Sequence, residues 1–426
     1  MSLIPQWREV GAAPGTVVAP DERLPWPQTA ALGVQHVIAM FGATVLAPIL
    51  MGFDPNVAIL MSGVGTLIFF LVVGGKVPSY LGSSFAFIGV VIAASGYAGP
   101  GPNANIGVAL GGIIACGAFF TLIGLLVMGT GTTWIESLMP PVVTGAVVAV
   151  IGLNLAGIPI KNMAPTGFDT WMQVVTFVSV GLIAVYTGGM TQRLLILVGL
   201  IAATLVYAVL TNGFGMGKPI EVANIANAAW LGAPGFAAPL FDAKAMLLIA
   251  PVAVILVAEN LGHIKAVSAM TGRDLDPFIG RAFVGDGVAT MVSGAAGGTG
   301  VTTYAENIGV MAATKIYSTA MFVVAAAIAI VLGFSPKFGA LIQAIPLAVM
   351  GGVSIVVFGL IAVTGAKIWV DNKVDFSDNS NLIVAAVTLV LGTGDFTLRF
   401  GGFALGGIGT ATFGAIALNA LLNRKR

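Results

Sequence analysis

Val257-Ala258-Glu259-Asn260-Leu261-Gly262-His263 and Thr302-Thr303-Tyr304-Ala305-Glu306-Asn307-Ile308-Gly309-Val310 each set an acidic residue inside a run that otherwise reads as membrane-embedded. A carboxylate in hydrocarbon is costly and nearly always faces a cavity or a partner, so each glutamate marks a candidate site. The rest of the chain reads as a frame that holds the two near each other. Hydrophobic residues make up 58% of it and charged residues 8%, about a third of the charged share usual in a soluble protein. The bilayer is the solvent such a composition needs.

Other classes fall away on composition. A formal net charge of +1 argues against a polyanion partner such as nucleic acid. Cys116, the only cysteine, excludes intramolecular disulfides and cysteine-based metal sites. No Walker loop and no metal-ligand cluster is present, so no cofactor is expected, and energy would come from an ion gradient. No nucleophile–base–oxyanion arrangement supports an enzyme. The first two dozen residues carry Arg8, Glu9, Asp21, Glu22 and Arg23 without an apolar run; they read as a cytoplasmic tail, not a signal peptide.

A spanning helix needs about 20 apolar residues. Apolar segments fall at roughly 30–50, 56–74, 78–97, 105–128, 138–158, 171–189, 193–212, 243–266, 280–295, 300–313, 316–334, 340–363, 380–397 and 402–422. The fold class expected is an all-α polytopic membrane protein of 14 spans. With both termini inside, 13 of the 18 Lys and Arg lie on the cytoplasmic side, as the positive-inside rule requires. The stretch 213–242, with three prolines, reads as an exposed linker between halves. The halves resemble each other: Leu81 to Val90 aligns with Val301 to Val310, and Pro141 to Leu153 with Pro346 to Leu360. Seven spans per copy would force the second copy to enter from the opposite face, the inverted-repeat plan of many secondary transporters.

Two stretches read as helix breaks. Ser83-Ser84 before Phe85, and Thr302-Thr303-Tyr304 before Glu306, can be extended and pair with each other, because backbone groups in the bilayer must be satisfied. The helix starts beyond them would aim free N–H groups at the centre. Glu259 and His263, four apart, share a helix face and could bond directly or through water; a structural polar pair is the alternative. Glu306 could accept from a ligand N–H or cap the new helix. Tyr304 and Phe85 could offer a planar surface to a flat ligand, although a lone aromatic is more often packing. His36, beside Gln35, either pairs with Ser84 or is a satisfied core histidine. Asn260 and Asn307 each follow a glutamate and could orient it. Asp286 reads as interfacial.

Gln35-His36, Ser83-Ser84-Phe85-Ala86-Phe87, the Ala258-Glu259-x-x-Gly262-His263 pattern and the run from Thr302 to Val310 together resemble the nucleobase–ascorbate transporter family, the nucleobase:cation symporter-2 group. Within it the likeness is to bacterial uracil and pyrimidine permeases. The resemblance implies two inverted seven-span repeats with short β-strands in spans 3 and 10. It implies a core domain at 29–134 and 243–336, a gate domain at 135–215 and 337–423, an extracytoplasmic linker at 216–242, and cytoplasmic tails at 1–28 and 424–426. It implies a base held by Glu259, with Glu306 beside it, and ring carbonyls met by the N–H groups of Phe85 and Ala305. His263 would assist through Glu259 or water; His36 and Ser84 would support the strands. Proton symport, an inner-membrane location and a homodimer follow in the same way. Asn260 stands where uracil permeases commonly have His, and Ala305 where they have Gly, which leaves the exact base open. A purine or xanthine carrier, or an anion transporter on the same plan, are the alternatives.

Overall fold

The structure, a computed structural model, describes residues 6–11, 17–97, 99, 101–400 and 403–423; the tail expected at 424–426 lies outside the described residues. Each apolar segment holds a helix: α1 (Trp26–Met51), α2 (Pro55–Val72), α3 (Ile88–Ser95), α4 (Ile106–Thr130), α5 (Pro141–Leu155), α6 (Gly167–Tyr186), α7 (Leu195–Ala208), α8 (Val252–Thr271), α9 (Ile279–Ala295), α10 (Ala305–Thr314), α11 (Thr319–Gly333), α12 (Leu347–Asp371), α13 (Asn379–Thr393) and α14 (Gly407–Leu422). Among the described residues, eight stretches of helix are long and apolar enough to cross a membrane, or nine if one bent pair counts as a span. The chain is a multi-pass membrane protein.

Local chemistry sets the boundaries. Pro55 starts α2 behind Asp54, whose carboxylate accepts the Asn56 N–H at 2.7 Å, as an N-cap does. Gly52 closes α1 at φ 72. The segment expected at 340–363 begins later than its apolar run. Ser335 and Pro336 start a separate helix, Pro336–Gln343, bent 83° from α11, and Pro346 then opens α12. Ahead of α8, Pro251 separates the short helix Ala243–Ile249, since proline cannot supply the N–H that a continuous helix requires.

The helices pack in two groups. In one, α4 lies on α9, α2 on α11 and α9, and α1 on α11. In the other, α5 and α6 lie on α12, α13 on α5 and α14, and α7 on α6. The contact of α2 with α11 is mirrored by that of α9 with α4, and α6 on α12 by α13 on α5. Between the groups, α8 touches α5 and α14.

At the centre of the first group, strands Leu81–Ser83 and Val301–Thr303 pair antiparallel, with Gly82 opposite Thr302. The ladder extends by Ser84 N–H to Gly300 O (2.9 Å) and Tyr304 N–H to Tyr80 O (3.0 Å). Each strand has a hydroxyl at its outer side. The Leu81 N–H donates to Thr66 Oγ1 of α2 at 2.9 Å, and the Val301 N–H to Thr290 Oγ1 of α9 at 3.2 Å. Two glycines permit the crossing: a methyl on Gly82 would meet the Tyr304 ring, and one on Gly300 the Phe87 ring.

Two features depart from expectation. The linker is largely exposed but clasped: the Gly235 N–H donates to Asp54 (2.8 Å), Gly232 N–H to Phe334 O (2.9 Å) and Leu240 N–H to Gly107 O (2.8 Å). The N-terminal segment is no loose tail. Arg8–Glu9 pairs parallel with Glu22–Arg23. There the Ala19 N–H and the Arg8 guanidinium hold the Glu22 carboxyl below the ordinary carboxylate range. A further hairpin, Leu398–Phe400 with Phe403–Leu405, precedes α14. Both small sheets were illegible because two- or three-residue strands carry no periodicity.

Gly82→Ala places its methyl against the Tyr304 ring and 2.7 Å from Thr44 Oγ1. Overpacking of this kind costs ~1–3 kcal/mol, so the melting temperature in detergent should fall by several degrees. Gly181→Ala, with nothing within 4 Å of the added methyl, should leave it unchanged.

Candidate functional site

Where the two strands end, two helix starts face an open crevice. The Phe85 and Ala305 N–H groups, next in line after the ladder, find no main-chain acceptor among the described residues. On the first side Ser84 caps the turn, its Oγ accepting the Ala86 N–H at 3.3 Å. On the second, Tyr304 offers no side-chain cap. Each leaves a donor at a helix N-terminus, where the dipole favours oxygen ligands.

The acids lie on two helices. Glu259 and Gly262 lie on one face of α8 with His263, and Ala305, Glu306 and Gly309 on one face of α10. Glu259, His263 and Glu306 are half-buried, while Gly262, Ala305 and Gly309 are exposed. Nothing lies within 4 Å of a Cβ built on Gly262 or Gly309, so both faces border open space. The two glutamates are within coulombic reach of each other. Phe85 is half-buried, edge-on to Phe358 of α12 at 5.9 Å and 87°. Gly89 faces Asn154 and Ile408 of the second helix group. The crevice therefore lies where the two helix groups meet.

A polar chain fixes α8 to the second strand. The Thr303 hydroxyl donates to Asn260 Oδ1 at 2.7 Å, and the Asn260 amide donates to Thr302 Oγ1 at 3.2 Å. Thr303 Oγ1 also meets His263 Nδ1 at 2.8 Å. A hydroxyl has one proton, and this one points at Asn260, so His263 donates from Nδ1, and in the neutral ring Nε2 then carries the lone pair. His263 is thus held by Thr303 and not by Glu259, and Asn260 braces the strand instead of orienting the glutamate beside it.

His36 does not pair with Ser84. It is fully buried, its Nδ1 accepting from the Asn307 amide at 3.0 Å, with the His36 carbonyl taking the same amide at 3.1 Å. This ties α1 to α10. Tyr304 is no platform for a ligand: it is 4% exposed, and its hydroxyl donates to Ser83 O (2.8 Å) and accepts from Thr44 (3.1 Å). Its ring covers Gly82, which is why an aromatic is needed there.

Asp286 is the residue that sequence reasoning missed. It is fully buried in α9, and neither carboxylate oxygen closes a hydrogen bond of standard geometry, although the Asn260 amide and the Thr303 main chain lie beside it. It is within coulombic reach of Glu259. Among the described residues, none of the three acids is paired with Lys or Arg. The signal was available: an acid in an apolar run marks a site by the rule that marked Glu259. Its Gly-rich segment made it read as interfacial.

A family profile described as "Permease family" matches residues 27–400. The chain is 69% identical over 409 residues to RutG of Escherichia coli (strain K12), provisionally named a pyrimidine permease; the match covers 96% of this chain and 92% of that protein. It is 40% identical to the uracil permease of Paenibacillus larvae subsp. larvae, over 96% and 97% of the two chains, and 38% identical to the uracil permease of Escherichia coli (strain K12), over 94% and 92%. Among solved structures, the transmembrane domain of the cyanobacterial bicarbonate transporter BicA has a similar fold. Its TM-score is 0.63 at 18% identity, covering 87% of this chain and 97% of that one.

Thr303→Val removes the one hydroxyl that joins Asn260 to His263. Buried Asn260 and half-buried His263 lose their bond, at ~1–3 kcal/mol for the buried partner. Ligand affinity and melting temperature should both fall; Thr303→Ser should restore both. Isothermal titration and thermal melting in detergent measure the pair.

Proposed function

This chain belongs to the permease family, the nucleobase:cation symporter-2 group, and from that premise we propose that it imports uracil or a related pyrimidine base in symport with protons. The chain is a transporter and not an enzyme. The observation that carries the substrate reading is the set of groups at the crevice: two orphan N–H donors, at Phe85 and Ala305, together with two carboxylates, Glu259 on α8 and Glu306 beside Ala305. Uracil presents two ring N–H groups and two carbonyls in one plane. Carboxylates can accept from the former and backbone amides donate to the latter, and an unmatched buried partner costs ~1–3 kcal/mol. Glu259 takes the ring N–H groups, with Glu306 beside it. Phe85 lies edge-on to Phe358 and borders the ring.

Proton coupling is supported by three acids without a basic partner. Like charges in an apolar setting repel, so protons are the natural counter-ions of Glu259, Glu306 and Asp286. His263, with an Nε2 lone pair, assists from the side. Ser84 caps the turn beyond the first strand, and His36 holds α10 to α1.

Alternating access follows from the two helix groups. We assign residues 29–134 and 243–336 to a core domain that moves against a gate domain of 135–215 and 337–423. The mirrored packing of α2 on α11 and α9 on α4 supports two inverted seven-span repeats and hence 14 spans. The charge asymmetry supports an inner-membrane protein with both termini cytoplasmic and the 216–242 linker outside. A homodimer through the gate helices rests on family resemblance. The anion-transporter alternative has the fold of BicA behind it, but two carboxylates at the crevice oppose an anionic ligand. Within the family, a purine or xanthine substrate is the remaining rival.

Proteoliposome uptake tests the reading. Labelled uracil should accumulate when the outside is acid and collapse with the pH gradient. Thymine should compete better than xanthine or uric acid. Glu259→Gln should abolish binding as well as uptake, since an amide presents donors where acceptors are needed, and Asp286→Asn should impair gradient-driven uptake more than binding. Uptake of xanthine in preference to uracil, or full activity of Glu259→Gln, contradicts the assignment.

A further inference from the structure

Residues 17–25 run along the loop between α10 and α11. Val18 is fully buried. Its N–H donates to Lys315 O at 3.1 Å and its carbonyl accepts the Tyr317 N–H at 2.8 Å, a parallel bridge to Ile316. The Pro20 carbonyl takes both the N–H of Thr319 (3.1 Å) and its hydroxyl (2.9 Å). The Trp7 indole N–H donates to that same hydroxyl at 2.8 Å, and its ring stacks on Phe70 of α2 at 5.9 Å and 30°. Asp21 meets Arg273 at 2.5 Å, just past the end of α8.

Two of these anchors decide the matter. Lys315 closes α10 in the left-handed region, at φ 57, a conformation that a non-glycine residue holds only when its surroundings impose it. At the other end of α10 stand Ala305 and Glu306. Arg273 follows Gly272, the cap of α8, which carries Glu259 and His263. The segment thus ties together the far ends of the two elements that bear the glutamates. α10 has ten residues, so it is a lever ~15 Å long. The Asp21–Arg273 pair is partly exposed and a weak link by itself; buried Val18 and the Trp7 stack are the firmer links.

We infer that this N-terminal strap is a positioning element of the substrate site, holding α10 and α8 in register and so fixing the separation of Glu259 and Glu306. The inference rests on the reading that these two glutamates receive the base. With the strap detached, α10 loses its anchor at Lys315 and is held from its other side by the strand ahead of it and the Asn307–His36 bond, and the two carboxylates no longer keep one spacing.

Spin labels at Ala266→Cys and Ala313→Cys, both exposed positions on α8 and α10, report that spacing in the full chain without any ligand. Cys116 is buried and stays unlabelled. Pulsed EPR should give one narrow distance distribution in the otherwise unaltered protein. Val18→Asp, which puts a carboxylate in a fully buried site, and Trp7→Ala should each broaden or shift it. Trp7→Phe, which keeps the stack on Phe70, should recover most of it. In proteoliposomes Trp7→Ala should raise KM for uracil about threefold to tenfold, under ~1.4 kcal/mol, with a smaller change in maximal rate. Unchanged distributions in both Val18→Asp and Trp7→Ala overturn the inference. If the unaltered protein takes up no uracil, the substrate assignment fails, and the distance measurement decides the strap on its own.

Discussion

Three residues of one half pair with three of the other, Leu81–Ser83 with Val301–Thr303, in the interior of a membrane protein. Unpaired main-chain groups are intolerable in hydrocarbon, so neither broken segment can exist without its counterpart. Once the strands pair, the helix starts beyond them are committed to a common crevice, and their leftover N–H donors with them. Gly82 and Gly300, the aromatic rings over them, and the threonines at the outer edges all serve that one crossing. The glutamates acquire their setting from it, because α10 begins where the second strand stops, and α8 is bound to that strand through Asn260, Thr303 and His263.

Much of this was legible in the chain. The apolar segments, the breaks at Ser83-Ser84 and Thr302-Thr303, and the pairing of the two short strands follow from hydrophobic length and backbone accounting. So does the suspicion that falls on Glu259 and Glu306. What was not legible depends on neighbours distant in sequence. Nothing local says that His36 meets Asn307 and not Ser84, that Tyr304 turns under Gly82, or that His263 is held by Thr303. The late start of α12 was hidden because the largely apolar run from 338 to 345 leads straight into it, and only the helix end at Gln343 with Pro346 after it sets the two apart. Asp286 was a misjudged case: a Gly-rich segment made a fully buried acid look superficial. The N-terminal strap was obscured by composition, since prolines and charges read as tail even when Val18 is wholly enclosed.

Fold and chemistry speak to function separately here. Likeness to BicA at 18% identity concerns architecture alone, and the same frame serves anions elsewhere. The groups at the crevice differentiate: acceptors on two carboxylates, donors on two main-chain amides, and, among the described residues, no lysine or arginine paired with either acid. Ala305 adds a methyl at the helix start where the ring would rest, which makes it the position at which preference among pyrimidines would be tuned. Asp286 is fully buried beside the Asn260 amide and has no surface in the crevice.

The central claim is that a flat neutral ring sits between the strand tips and the two acids. A cryo-EM map of the protein with saturating uracil tests it most directly. The account predicts ring density within hydrogen-bond reach of the Glu259 carboxylate, with its carbonyls at the Phe85 and Ala305 N–H groups. Density elsewhere, such as the polar hollow beside Asp54 and Gln343, with the crevice filled only by ordered water, would contradict it.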